Sequence, residues 1–155
     1  MQLSLHSDYA LRILMALAAK GGRLSVDDVA KQYGISRNHL AKVAQELQAQ
    51  GFVATTRGRH DGMELARPPE EIVVGDVVRR FENLESFASC FGSEPAGCVV
   101  DGVCGLKPAL TGALEAFILH LDGYQLSDLV PNRKTFLARL GSEPAGRTIP
   151  MLLQR

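Results

Sequence analysis

The stretch SVDDVAKQYGISRNHLAK, residues 25–42, decides how this chain is read. Ser25 opens it as a helix cap, with Asp28 three residues on in the place of a capping-box carboxylate. Val26, Val29, Ala30 and Tyr33 recur at three and four and predict one inward helix face. Gly34-Ile35 reads as a tight turn. Ser36 then caps a second helix that runs to about Gln50, with Leu40, Val43, Ala44 and Leu47 inward and Gly51 just past its end. Two helices joined by a glycine-containing turn are a helix-turn-helix, whose second member enters the major groove of DNA with its N-terminal residues foremost.

The flanks extend this unit. Residues 7–19 predict a preceding helix, with Ser7 as its cap, Asp8 in its first turn, and Leu11, Leu14, Met15 and Ala18 on one stripe ended by Gly21-Gly22. Downstream, residues 52–56 alternate like a strand, residues 57–62 form a basic turn, and Met63–Leu65 return as a second strand. A helix-turn-helix followed by a hairpin with a basic tip is a winged helix, predicted over residues 1–67. Pro68-Pro69 separates it from a segment at 68–104, which carries a short helix, Val74 to Phe81, and a cysteine-bearing loop. A long helix follows from about Leu106 to Leu121, within a unit at 105–130. Its stripe of Leu106, Leu110, Ala113, Leu114, Phe117, Ile118 and Leu121 suits packing on another helix, within the chain or between chains. Residues 131–155 are expected to form a flexible tail. The fold class is therefore mostly α, a winged helix-turn-helix plus a long helix.

At the start of the second helix stand Ser36, Arg37, Asn38 and His39, with Lys42 one turn on. Arginine forks to guanine N7 and O6, asparagine pairs with adenine, and serine and lysine hold phosphates. Arg57, Arg59 and His60 at the hairpin tip are placed to reach the backbone or the minor groove. The competing account is a solvated helix end and an exposed loop. Net charge is zero, but residues 1–67 hold nine Lys/Arg against six Asp/Glu, whereas 68–155 hold eight against eleven. A basic first half facing a polyanion agrees with DNA, although chance variation of surface charge gives a similar split.

An apolar content of 46% with 22% charged residues excludes wholesale disorder. The longest nearly apolar run, Ala10 to Ala19, is broken by Arg12 and is far short of the ~20 residues of a membrane span. With no basic start and with Asp8 early, the N-terminus does not read as a secretory signal, and a cytoplasmic protein with reduced thiols is expected. The four histidines, His6, His39, His60 and His120, are scattered without a catalytic motif, so an enzyme is not expected. The hexapeptide Gly-Ser-Glu-Pro-Ala-Gly occurs at 92–97 and again at 141–146; both copies have loop composition and neither is assigned a function.

Cys90, Cys98 and Cys104 fall in one loop, spaced by seven and five residues. Three thiolates in one loop can converge on a metal. Structural zinc sites bring paired cysteines two to four residues apart, and no such pair exists here. Iron–sulfur clusters tolerate wider spacing but take four ligands, so one is missing from the loop. Three unrelated thiols are the alternative.

Several motifs together carry a resemblance over roughly residues 1–130. They are the opening Met-Gln-Leu-Ser-x-x-Ser-Asp-Tyr-Ala-Leu-Arg12, Gly34-Ile-Ser-Arg-Asn-His-Leu-Ala-Lys42, Gly75-Asp-Val-Val-Arg79, the three-cysteine loop, and Asp122-Gly-Tyr-Gln-Leu-Ser-Asp-Leu-Val130. In this order they resemble the Rrf-type winged-helix regulators, and within them the nitric-oxide-responsive repressors. The resemblance implies a homodimer joined through the long helix, bound to palindromic double-stranded DNA. It also implies one iron–sulfur cluster per subunit, of the 4Fe-4S type in first place and 2Fe-2S in second. By position, Cys90, Cys98 and Cys104 match the cluster ligands, and Asp8 matches an oxygen ligand supplied from the partner subunit. Nitric oxide is the implied signal, with an iron- or redox-responsive regulator as the alternative. The chain departs from the family pattern at Lys107, where the related regulator of cluster assembly has histidine, and at His60-Asp61-Gly62, where the wing usually carries paired glycines. The interval between Cys90 and Cys98 is also longer than usual, as in some iron-responsive relatives.

Overall fold

The computed structural model describes residues 2–56, 62–91 and 98–141. Helix α1 spans Leu5–Lys20, α2 Val26–Tyr33 and α3 Arg37–Ala49. Strands β1 (Val53–Thr56) and β2 (Gly62–Leu65) pair antiparallel, Val53 with Leu65 and Thr56 with Gly62. Helices α4 (Val74–Phe81), α5 (Leu106–Asp122) and α6 (Arg133–Leu140) follow.

Helix α1 is the axis of the core. Its Ile13, Leu14 and Leu17 are fully enclosed, packed with Val29, Leu40, Val43, Leu47, Phe52, Met63 and Val77 from the elements around it. Truncating one such leucine to alanine costs about 2–5 kcal/mol, a large share of a small domain's stability. The predicted cap is corrected: α1 starts two residues earlier than expected, and Ser4 rather than Ser7 caps it. Ser4 Oγ accepts from the Ser7 N–H at 3.1 Å, and the Ser4 N–H donates to Glu82 Oε1 at 2.6 Å. Ser7 itself is buried inside the first turn. Gly21, at φ 67°, ends the helix in the left-handed conformation expected of a glycine stop.

The α2 capping box forms as read, with Ser25 N–H on Asp28 Oδ2 at 3.0 Å and Asp28 N–H on Ser25 Oγ at 3.0 Å. The wing gains a short third strand position that periodicity did not signal: Leu24 and Met63 exchange backbone hydrogen bonds of 3.0 and 2.9 Å. This ties the α1–α2 turn to β2, and an Arg23–Glu64 ion pair of 3.1 Å lies beside it.

Residues 131–140 do not form the start of a flexible tail. Asn132 caps α6 by accepting from the Thr135 N–H at 3.0 Å. Leu140 is buried, and Phe136 and Leu137 pack against the core. Arg133 reaches back to donate to the Ala19 carbonyl at 3.0 Å, satisfying an open acceptor at the end of α1. The second half of that expected tail, 142–155, and both hexapeptide copies apart from Gly141 lie outside the described residues. Among the described residues no helix is long and apolar enough to cross a membrane.

Candidate nucleic-acid interface and metal centre

Helix α3 is two-faced. Leu40, Val43, Ala44 and Leu47 anchor it in the core, whereas Ser36, Arg37, Asn38, His39 and Lys42 are all exposed. The turn before it is fixed by Gly34 at φ 65° and by the Ile35 N–H donating to the Ala30 carbonyl at 3.0 Å. Ser36 places no side-chain cap on α3, and no acidic residue occupies its first turn. An uncapped helix start with cationic neighbours suits a phosphate. One acid reaches this surface from the neighbouring helix: Asp27 Oδ1 accepts from Arg37 Nε at 2.6 Å. The rear of α3 is held by two further bonds, Glu46 to His6 at 2.6 Å and Gln50 to Arg80 at 2.8 Å. The predicted wing-tip residues Arg57, Arg59 and His60 lie outside the described residues.

The cysteine loop joins α4 to α5. Cys90 and Cys104 are half-buried and Cys98 is exposed, all three as free thiols. Among the described residues the structure does not gather three or more His, Cys, Asp or Glu side chains as a metal would require. Residues 92–97, between Cys90 and Cys98, lie outside the described set. The three sulfurs thus share a loop without a closed site. Val99 and Val103, flanking Cys98 and Cys104, are 98% and 86% exposed, an apolar surface with little to cover it.

Asp8 is engaged within its own helix. Its Oδ2 accepts from Arg12 Nε at 2.8 Å, an i,i+4 pair, and the Arg12 guanidinium lies 5.4 Å from the centre of the Tyr33 ring. Burial pushes the Tyr33 phenol up to about 12, and among the described residues its hydroxyl has no hydrogen-bond partner. The only sequence signal for Arg12 is its place four residues after Asp8, the spacing at which helical ion pairs meet.

Helix α5 is held to the rest of the fold near its C-terminal end. Of its predicted apolar stripe only Ile118 is buried, Leu106 is 62% exposed, and Leu119 beside the stripe is 72% exposed. Arg79 of α4 forks to Asp122, Nη1 to Oδ1 at 2.6 Å and Nη2 to Oδ2 at 2.5 Å. Two stretches quoted above as separate motifs, 75–79 and 122–130, therefore meet in space.

The fold and these motifs have counterparts. A family model described as "Rrf2: Iron-dependent Transcriptional regulator" matches residues 3–132. The HTH-type transcriptional regulator NsrR of Bacillus subtilis is 43% identical over 142 residues, covering 90% of this chain and 97% of that protein. The NsrR of Bacillus licheniformis is 41% identical over 135 residues, covering 86% of this chain and 94% of its own length. The crystal structure of the oxidized form of Staphylococcus aureus CymR superimposes with a TM-score of 0.65 at 26% identity, covering 85% of this chain and 98% of that one.

Proposed function

The chain belongs to the Rrf2 family of transcriptional regulators, and from that premise we propose that it is a DNA-binding repressor whose grip on a palindromic operator depends on an iron–sulfur cluster and is released by nitric oxide. The observation that carries the DNA reading is helix α3, buried along its back and offering Ser36, Arg37, Asn38, His39 and Lys42 to solvent. Arg37 reads guanine, Asn38 pairs with adenine, and Ser36 and Lys42 hold phosphates, with His39 beside them. Arg57, Arg59 and His60 of the wing supply backbone or minor-groove contacts.

The partner is a second copy of this chain. An apolar helix with one buried residue leaves surface for another helix, and α5 offers it from the exposed Leu106 through the half-buried Leu110, Leu114 and Phe117. Dimerisation there sets the two α3 helices about 34 Å apart, as successive major grooves demand.

Cys90, Cys98 and Cys104 would hold the cluster, and Asp8 of the other subunit would be the fourth donor. The donor chemistry fits: three unpaired thiols on one loop are soft ligands of the kind iron–sulfur centres take, and the half-exposed Asp8 carboxylate supplies a harder, weaker one. When bound, the cluster would supply iron that nitric oxide can attack. Asp8 sits one turn into α1, the helix on which α3 and α4 pack. A link from the cysteine loop of one chain to that turn of the other ties the two DNA-reading units into one body. Loss of such a link would free their relative angle, and coupling of this kind changes affinity about 5–150-fold.

Anaerobically isolated protein, titrated onto a palindromic duplex before and after nitric oxide, tests this reading. Tight, salt-dependent binding that weakens with nitric oxide is expected. An affinity indifferent to nitric oxide overturns it. An affinity that follows iron supply instead selects the iron-responsive alternative, which the description of the matching family favours.

A further inference from the structure

Arg37 is read above as the guanine-contacting residue of α3, and the inference here rests on that reading. We propose that Asp27 is a specificity-determining residue: by holding Arg37 Nε, it aims the two terminal nitrogens of the guanidinium at one base pair of the operator.

The geometry is specific. Asp27 Oδ1 accepts from Nε at 2.6 Å, and among the described residues Nη1 and Nη2 make no hydrogen bond. That leaves the end-on fork, whose two donors match O6 and N7 of guanine. The carboxylate is itself well placed to act as a fixed support. Asp27 lies between Ser25 and Asp28, whose reciprocal hydrogen bonds lock the start of α2, and the Gly34 turn fixes α2 against α3. Ser25 holds the Asp28 carboxyl below its ordinary value, so that lock is charged at neutral pH.

Folding does not account for this pair. The Arg37 and Asp27 side chains are 63% and 54% exposed, and ion pairs so exposed add little to stability. An acid on a surface that meets phosphates weakens non-specific attraction, so its presence there needs another benefit. Pre-aiming a long, rotamer-rich side chain is such a benefit, because less freedom is lost when the base is contacted. A support of this kind sharpens selectivity at a single position and reduces affinity for DNA in general.

The experiment uses the full-length protein isolated anaerobically and an operator selected by it from random duplexes. Affinities are measured on that operator, on a panel with each base pair exchanged in turn, and on an unrelated duplex. Arg37→Ala is expected to lose about 5–150-fold of discrimination at one symmetry-related base pair. Asp27→Ala should lose about 3–10-fold at that same base pair while binding the unrelated duplex about 2–5-fold more tightly. Asp27→Asn, which keeps the shape and a weaker acceptor, should fall between. The Asp27→Ala, Arg37→Ala double variant should show no further loss of discrimination beyond Arg37→Ala. Asp27 variants that keep full discrimination at the base pair relaxed by Arg37→Ala overturn the inference, as does an equal loss on operator and unrelated DNA. A different result, in which Arg37→Ala relaxes no base pair at all, overturns the reading of α3 itself.

Discussion

The guanidinium of Arg79 grips both oxygens of the Asp122 carboxylate, and the grip exists only because residue 75 has no side chain. A Cβ on Gly75 falls 2.0 Å from Asp122 Oδ1 and 3.1 Å from the Asp122 backbone nitrogen. The fork is the polar tie between α4 and α5, the helix proposed to meet a second copy. Gly75→Ala must displace Asp122 and open the fork. It is expected to lower stability by about 1–3 kcal/mol, read from the denaturant midpoint, and to weaken dimerisation in sedimentation. A variant with wild-type midpoint and dimer constant rules out the tie.

Much of the winged helix was legible because its signals are local. The Ser25 and Asp28 box, the Gly34 turn and the three-and-four spacing of Leu40, Val43, Ala44 and Leu47 each act within one or two turns of chain. What escaped is non-local. Helix α6 has an unremarkable sequence, and its burial comes from α1, more than a hundred residues earlier, through contacts such as Arg133 with Ala19. The Leu24–Met63 bridge joins a turn to a strand across the wing. The same holds at the site: the exposed row of α3 could be read from the spacing, whereas Asp27 and Arg37 are ten residues apart on different helices. Spacing placed the three cysteines in one loop, but closure of that loop on a metal needs a ligand that spacing does not contain.

Acid should loosen the fold through two carboxyls. Asp28 is held below its ordinary value chiefly by the Ser25 hydroxyl, and Asp122 chiefly by the Arg79 hydrogen bonds. Both are lower folded than unfolded, so the unfolded chain takes up their protons first. Their contribution is therefore complete above the ordinary carboxylate range and is lost as pH falls through it, from about pH 5 downward. Urea unfolding across this range should show stability falling with pH. Asp28→Asn should start lower at neutral pH and fall less steeply; a slope identical to wild type removes Asp28 from the account.

Replacing any one of Cys90, Cys98 or Cys104 by alanine should abolish the brown chromophore of protein isolated without oxygen, and with it acid-labile sulfide. Their placement in one loop between α4 and α5 as free thiols motivates this. The apo protein should still fold, because none of the three lies in the core cluster, so circular dichroism and melting should stay near those of the metal-free wild type. Stoichiometric zinc without sulfide in the wild-type protein is the result that sinks the cluster.

Asp8 supplies the sharpest test, since the role proposed for it across the dimer competes with a bond it already makes. Within one chain its Oδ2 is held by Arg12, and ion pairs of this i,i+4 kind at such exposure add about 0.3–0.5 kcal/mol. A carboxylate that only steadies the first turn of α1 is worth at most about 1 kcal/mol, and its loss should leave sensing unchanged. A carboxylate that donates to the partner's cluster behaves otherwise. Asp8→Ala should then keep a cluster on three thiolates, alter its absorption spectrum, and uncouple cluster state from operator affinity. Mixed dimers separate donation across the interface from donation within a chain. One subunit carries Asp8→Ala with intact cysteines; the other keeps Asp8 and lacks its cysteines. The single cluster then sits on the first subunit and faces the second subunit's intact Asp8, so a wild-type spectrum is expected. The companion dimer pairs an unaltered chain with one that bears both changes. In that last dimer the cluster of the unaltered chain faces the mutated Asp8, and its spectrum should match the Asp8→Ala homodimer. A wild-type spectrum there rules out donation from the partner.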